Sequence, residues 1–363
     1  MNNTMEKYGW SAKWQELWQQ TGMEEQLRKP ARIIADHGQL LRLITAEGEC
    51  WGRVSGRMRH DHEETGIVPA VGDWVAVTGQ AGEEAIIHSI VPRQSRVSRQ
   101  AAGPVTKEQL IAANVDTLLI VAALNHDFNL RRLERYIMMA WNGGVRPVII
   151  LSKSDLSENV EEQISLVEGI APGIEVLAIS AVQDQGKSLL EKFLSPGTTV
   201  ALTGSSGSGK STLVNWMMGE SVQLTQAVRE DDSRGRHTTT HREIFVLPQG
   251  AVLIDTPGMR ELNLWDEGQD GLSHAFGEIE QLATECRFQD CTHTREADCA
   301  VKEAIQEGSL DEKRLGNYLK MQKELKFQQR KEEAASKRRT ASSKPVSSRK
   351  PKHVRSTKDW EEA

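Results

Sequence analysis

The chain has 363 residues, 38% of them hydrophobic and 26% charged, with a formal net charge of -6. That is room for two or three domains with proper cores, in the balance of a soluble globular protein. No apolar run approaches the roughly 20 residues a membrane span needs, and MNNTMEKYGW lacks the basic-then-apolar layout of a signal peptide, so no membrane role and a cytoplasmic location are expected.

Residues 1–30 are expected to form a helical extension, because Trp10, Trp14 and Trp18 recur at i, i+4 and i+8 as one apolar stripe packing on the protein's own body. Over 31–98 the pattern changes to short alternating runs: ARIIAD, LLRLIT, ECWGRVSG, DWVAVTG and AIIHSIV. Gly38, Gly48, Gly72 and Gly82 punctuate them, with no helical pattern between. About five short strands in this space predict a small all-β barrel, an OB-fold first among the candidates. Such barrels often hold single-stranded nucleic acid on one face; a plain structural domain is the alternative. Residues 99–112, entered through the basic stretch PRQSRVSRQAAG, are read as a linker.

From 113 to 268 near-continuous apolar runs alternate with amphipathic helices. TLLIVAAL, PVIILS, EVLAIS, TVALTG and AVLID are the predicted strands, and their double-sided apolarity predicts a parallel sheet covered on both faces, an α/β domain. Ligands of such sheets bind beyond the carboxyl ends of the strands, where every motif below falls.

Gly204-Ser205-Ser206-Gly207-Ser208-Gly209-Lys210-Ser211 fits G-x-x-x-x-G-K-[ST] after a strand and before a helix. The glycines let backbone N–H groups close around phosphates, and the helix that Lys210, Ser211 and Thr212 begin adds its positive end. Lys210 is expected on the β and γ phosphates and the Ser211 hydroxyl on Mg²⁺. Asp255-Thr256-Pro257-Gly258 ends the next apolar strand, placing a carboxylate near the magnesium and the Gly258 N–H near the γ phosphate. Between them lies a polar stretch with Gly235-Arg236-His237-Thr238-Thr239-Thr240, read as a switch ordered by the γ phosphate. The spacing does not single out the closing threonine; Thr239 stands as the candidate.

Ser152-Lys153-Ser154-Asp155 follows the strand PVIIL. A strand-end Asp155 can accept from both N1–H and the 2-amino group of guanine, a pair adenine does not offer, so GTP and GDP are expected over ATP. Lys153 is expected along the base, and Ser180-Ala181 supports it from the other side. Ser152 stands where GTPases ordinarily carry an Asn that ties the base loop to the phosphate loop, so nucleotide binding is expected to loosen. The base-side motifs precede the phosphate loop in the chain, the reverse of the usual order, as in a chain cut and rejoined at loops.

Residues 269–330 read as a helical module around Cys286-x4-Cys291-x-His293-x5-Cys299, a tetrahedral set for one structural Zn²⁺ with no position left open. Residues 331–363 are expected to be a disordered basic tail. Nine Lys or Arg face three Asp or Glu over 337–363, which suits a polyanion such as RNA.

The combination of VPAVGDWVAV, VPRQSRVSR, SKSDL, GSSGSGKSTLVN, GRHTTTH, DTPGMRE and the cysteine cluster resembles the circularly permuted ribosome small-subunit-dependent GTPase A family, from about Ala31 to Lys326. The resemblance implies an OB-fold, a permuted P-loop GTPase domain and a zinc module, acting on the small ribosomal subunit and its rRNA late in assembly. A monomer is expected. Many GTPases orient the attacking water with a Gln just after D-x-x-G; Met259 stands there, so His237 is the candidate in its place and the ribosomal partner is expected to complete the site. The alternative functions are a slow-turnover GTP-sensing, RNA-binding checkpoint adaptor and a generic P-loop ATPase.

Overall fold

A computed structural model describes residues 3–23, 27–65, 67–79, 83–100, 108–219, 242–255 and 270–342. Helices α1 (Asn3–Lys7) and α2 (Ala12–Gln20) lead into a barrel of β1 (Lys29–Asp36), β2 (Leu41–Thr45), β3 (Gly48–Val54), β4 (Trp74–Thr78) and β5 (Ala85–Ile90). The pairings β1–β2, β2–β3, β3–β5, β5–β4 and β4–β1 close the circle, with only β3–β5 parallel. Closure leaves no bare edge. Contrary to the expectation of no helix in this stretch, α3 (Gly56–Thr65) joins β3 to β4. Its sequence GRMRHDHEET is too polar to show an apolar stripe, and Met58 is the core residue among its described side chains.

The tryptophans do pack on the protein's own body, but not as one helical stripe. Trp10 precedes α2, at the end of a turn through Gly9, and its ring meets Trp74 of β4 edge-on at 4.7 Å. Trp14 lies 6.0 Å from the same ring, and Trp18 is buried beside it.

Both described ends of the region read as a linker lie in strands. β6 (Arg96–Gln100) and β7 (Glu108–Ala113) form a two-stranded antiparallel ladder, with Val97 and Ile111 buried under a basic exterior. The charge of Arg96 and Arg99 hid the alternation. Gly72, at φ +96°, lets the barrel approach this ladder; a Cβ there would meet the Ala113 carbonyl oxygen at 2.1 Å.

The second sheet follows in chain order: β8 (Thr117–Ala123), α4 (Leu130–Asn142), β9 (Arg146–Ser152), α5 (Val160–Ile170), β10 (Glu175–Ala178), α6 (Lys187–Glu191), β11 (Thr199–Thr203), α7 (Lys210–Met218), β12 (Glu243–Val246) and β13 (Val252–Asp255). Its spatial order is β10-β9-β8-β11-β13-β12, parallel but for β12. Alternation along β8 explains the layers. Leu118 and Ile120 join the core under α4, whereas Leu119 and Val121 join the one under α7.

β12 then pairs with β1 at Ala35 and Glu243, so the sheet runs on into the barrel, and Arg42 of β2 bonds Glu243. A second junction is polar and buried. Arg32 of β1 donates to the Tyr8 carbonyl, to the Gly72 carbonyl at 3.3 Å and to Thr199 Oγ1 at 2.9 Å, with its guanidinium 5.2 Å from the Trp74 ring centre. Burial lowers its pKa to about 10, yet it stays charged, and extension, barrel and β11 are held by one side chain.

The C-terminal helices are α8 (Asp270–Ala275), α9 (Gly277–Thr284), α10 (Ala300–Gln306) and α11 (Glu312–Ser342). They dock on α4. Arg314 Nη1 meets Glu134 Oε1 at 2.9 Å, Asn317 Nδ2 meets Glu134 Oε2 at 3.0 Å, and Arg314 also bonds Glu278 and the Ala275 carbonyl. α11 runs twelve residues into the segment read as disordered tail, because its Ala, Glu, Lys, Gln and Arg are helix formers that need no core of their own. Residues 343–363 lie outside the described residues. No helix of the described residues is long and apolar enough to cross a membrane.

Candidate nucleotide site and metal centre

β11 is buried along its whole length and ends at Gly204, whose φ of +147° a side chain would not tolerate; a Cβ there would meet the Val121 carbonyl oxygen at 2.2 Å. The chain is half-buried at Ser205, exposed at Ser206 and Gly207, buries Ser208, and enters α7 through Gly209 at φ +91°. Lys210 Nζ donates to the Gly204 and Ser205 carbonyl oxygens at 2.8 and 2.6 Å, so its ammonium curls over the loop. Ser211 and Thr212 are half-buried in the first turn of α7. Ser208 Oγ is buried without a hydrogen-bond partner among the described residues.

Ser152 ends β9, and its Oγ donates to the Ser208 carbonyl oxygen at 2.6 Å. The expected loosening of nucleotide binding rested on the absence of such a tie. The tie between base loop and phosphate loop survives the replacement of Asn, because the two strand ends are close enough for a serine to span. Lys153 takes the left-handed conformation, φ +58°, and turns the chain into a 3₁₀ turn at Ser154–Leu156. Its side chain runs toward Gly209, Cε lying 4.0 Å from where a Cβ of that glycine would sit. Asp155 is exposed, and its Oδ1 accepts from the Ser180 hydroxyl at 2.5 Å. Ser180 is fully buried and paired through its backbone with Gln185, and the Ser154 N–H reaches the Ile179 carbonyl at 3.1 Å. Ala181 follows, half-buried.

Removing the Ser152 hydroxyl strands the buried Ser208 carbonyl, a loss of about 1–2 kcal/mol. Ser152→Ala is therefore expected to weaken GDP by roughly 5–30-fold, with Ser152→Asn restoring it. A fluorescent-GDP titration reads both, and wild-type affinity for the alanine variant would show that the tie does not position the loop.

Asp255 ends β13 beside β11, with its backbone paired to Glu243. It is 7% exposed. Gly258, His237, Thr239 and Met259 lie outside the described residues. One residue at this end of the sheet escaped the sequence reading. Asp127, in the loop after β8, accepts from Ser205 Oγ at 2.8 Å and from both Arg132 guanidinium nitrogens at 2.6 and 3.0 Å. The Arg132 bonds, then that of Ser205, hold its carboxyl below the usual range. Its signal was position alone, a carboxylate just past a strand end, as Asp155 is.

The four expected metal ligands come together. Cys286, Cys291, His293 and Cys299 have donor atoms within 4.8 Å of one another, with His293 Nδ1 at 3.6 and 3.5 Å from the Cys286 and Cys299 sulfurs. Cys286 follows α9, Cys299 caps α10, and His293 is turned inward by a left-handed backbone, φ +57°. Burial pushes the Cys299 thiol up to about 11 and holds His293 below its ordinary value. The set can hold a metal ion.

Fold and motif order define a circularly permuted GTPase with a barrel before it and a Cys3His module after it. The sequence profile of the RsgA GTPase family matches residues 90–265. The Small ribosomal subunit biogenesis GTPase RsgA 2 of Lactiplantibacillus plantarum is 43% identical over 82% of this chain and 83% of its own. The crystal structure of YjeQ from Thermotoga maritima aligns with 81% of this chain and 97% of its own, at a TM-score of 0.60 and 24% identity. That of YloQ, described as a circularly permuted GTPase, aligns with 83% and 96% at 0.58 and 23%. The chain belongs to the RsgA GTPase family.

Proposed function

We propose that this protein binds the small ribosomal subunit, assists its late assembly, and hydrolyses GTP to GDP and phosphate at a rate raised by the subunit. The observation that carries the reading is the meeting of two loops at the carboxyl ends of β9, β10 and β11. Ser152 ties Asp155 and Ser180 to the turn that Lys210 crosses. The name of the 43% identical relative supports the ribosomal part.

In this reading Asp155 selects guanine, Lys153 lies along the base, and Ser180 orients the Asp155 carboxylate while Ala181 leaves room. Gly204, Ser205, Ser206, Gly207, Ser208 and Gly209 offer N–H groups to the phosphates, and Lys210 neutralises the β and γ oxygens. The narrow turn at Gly204 and the orphaned Ser208 hydroxyl fit a ligand rich in acceptors. Ser211 and Thr212 lie where the phosphates end; Ser211 and Asp255 would hold Mg²⁺, which supplies charge neutralisation across those oxygens. Gly258 would donate to the γ phosphate, Thr239 would close over it, and His237 would orient water. Cys286, Cys291, His293 and Cys299 would hold one structural Zn²⁺, since three thiolates and an imidazole complete its tetrahedron. The protein acts as a cytoplasmic monomer, with rRNA meeting the barrel and the basic C-terminal residues.

GTP turnover with and without purified small subunits tests this. A rise of at least tenfold is expected, together with co-sedimentation that is stronger with a non-hydrolysable GTP analogue than with GDP. Met259, where a water-orienting Gln is usual, favours the slow checkpoint adaptor as second reading; a flat, slow rate despite binding would select it.

A further inference from the structure

A cleft of about 270 Å³ opens between α4 and α11, lined by Asn129, Arg131, Arg132, Arg135, Lys320 and Met321 among others. Four of these are cations. Two carboxylates face them: Asp127 holds Arg132, and Glu324 holds Arg135 at 2.8 and 2.9 Å. Glu134 lies beneath, buried and committed to Arg314 and Asn317. Arg131 and Lys320 are exposed and have no carboxylate in an ion pair among the described residues. The mouth therefore carries two positive charges in excess, and the first turn of the 13-residue α4 adds the positive end of its dipole.

The charge continues along α11. Lys323, Lys326 and Arg330 are exposed, and Phe327 between them is 66% exposed. From Lys320 to Arg330 the helix rises about 15 Å, long enough to follow several nucleotides at about 3.4 Å each. A bare aromatic face within a row of cations suits bases as well as phosphates, which an acidic peptide does not supply.

We propose that this cleft is a docking surface for an RNA phosphodiester backbone, linked to the phosphate loop through Arg132, Asp127 and Ser205. It rests on the ribosomal reading above and names the surface that would sense the partner. The bidentate Arg132–Asp127 pair and the Ser205–Asp127 bond share one carboxylate, with Oδ2 common to both. A phosphate that draws Arg132 away changes what holds Ser205, and with it the loop that cradles the nucleotide.

The test uses the full chain, a fluorescein-labelled single-stranded RNA 20-mer, and purified small subunits. Arg131→Glu with Lys320→Glu is expected to weaken the 20-mer on the order of tenfold or more and to flatten the slope of log K against log salt by about 1–2. The subunit concentration for half-maximal GTPase stimulation should rise in parallel, with GTP affinity in the absence of RNA unchanged. Glutamine at both positions, which adds no repulsion, should give a smaller loss of the same sign. Unchanged RNA affinity in the double charge reversal overturns the docking surface, as does wild-type protein that binds polyglutamate as tightly as the 20-mer. Asp127→Asn, which adds one net positive charge to the mouth and frees Arg132, should bind RNA at least as tightly as wild type while losing most of the stimulation; wild-type stimulation in that variant overturns the link. If wild-type protein binds the 20-mer through the cleft but subunits neither bind nor stimulate it, the ribosomal reading fails while the surface stands.

Discussion

Lys210→Ala is expected to lower kcat for GTP hydrolysis by about 10²–10³-fold, the usual loss when one donor aimed at developing charge is removed. The ammonium lies within 2.8 Å of two carbonyl oxygens of the loop, so its position is set by the loop itself. Phosphates entering there exchange those two carbonyls for a stronger, charge-assisted partner. Without the lysine the backbone N–H groups and the start of α7 remain, so weak nucleotide binding should persist while turnover collapses. Lys210 is only half-buried and is not one of the core residues, so the thermal midpoint without nucleotide should move little. Single-turnover hydrolysis in the presence of small subunits measures the effect. A rate within threefold of wild type would remove Lys210 from the phosphate site.

Stripping metal from the Cys286–Cys299 cluster should have the largest effect on the fold. α9 and α10 are 8 and 7 residues long, below the length at which helices hold themselves together in water. The stretch joining them is polar and contributes little burial beyond Cys299 and His293. Structural zinc in small modules contributes on the order of 10 kcal/mol or more of apparent binding energy. Chelation, or Cys286→Ser, should therefore release the amide protection of residues 286–306. Protection in β8, β9 and β11 should be retained, because α11 is anchored independently by Arg314 on Glu134. Bound zinc by elemental analysis, followed by hydrogen exchange, reads both. Full protection of 286–306 in the metal-free protein would show that the ligands hold no structural ion.

The strands that carry the nucleotide motifs were legible because burial on both faces leaves nothing but apolar residues to write, as in PVIILS and TVALTG. The barrel strands were legible from their glycine punctuation. What escaped was structure whose residues face water. α3 shows the sequence only Met58, and the β6–β7 ladder hides Val97 and Ile111 among arginines. Trp10 fits a helical period that the turn through Gly9 interrupts. The tie from Ser152 to Ser208 depends on how near two strand ends lie, a distance no spacing encodes. Asp127 and the cleft cations come from segments that meet only in the folded chain, Arg135 on α4 and Glu324 on α11 among them. The four metal ligands, all within one short stretch, needed no such meeting.

The strand order has a consequence for the chain as it is made. The barrel can close once β5 is complete, but β8 gains β9 on one side and waits for β11 on the other. From Ala123 to Thr199 a buried-type parallel edge stays open, an interval of roughly 4–15 s at ordinary rates of synthesis. An unpaired apolar edge is a template for wrong partners. No nucleotide can protect it in that window, since the turn at Gly204–Lys210 has yet to emerge. Nascent protein should therefore be most vulnerable to aggregation before Thr203, and only from that point on does the ligand begin to favour the native state.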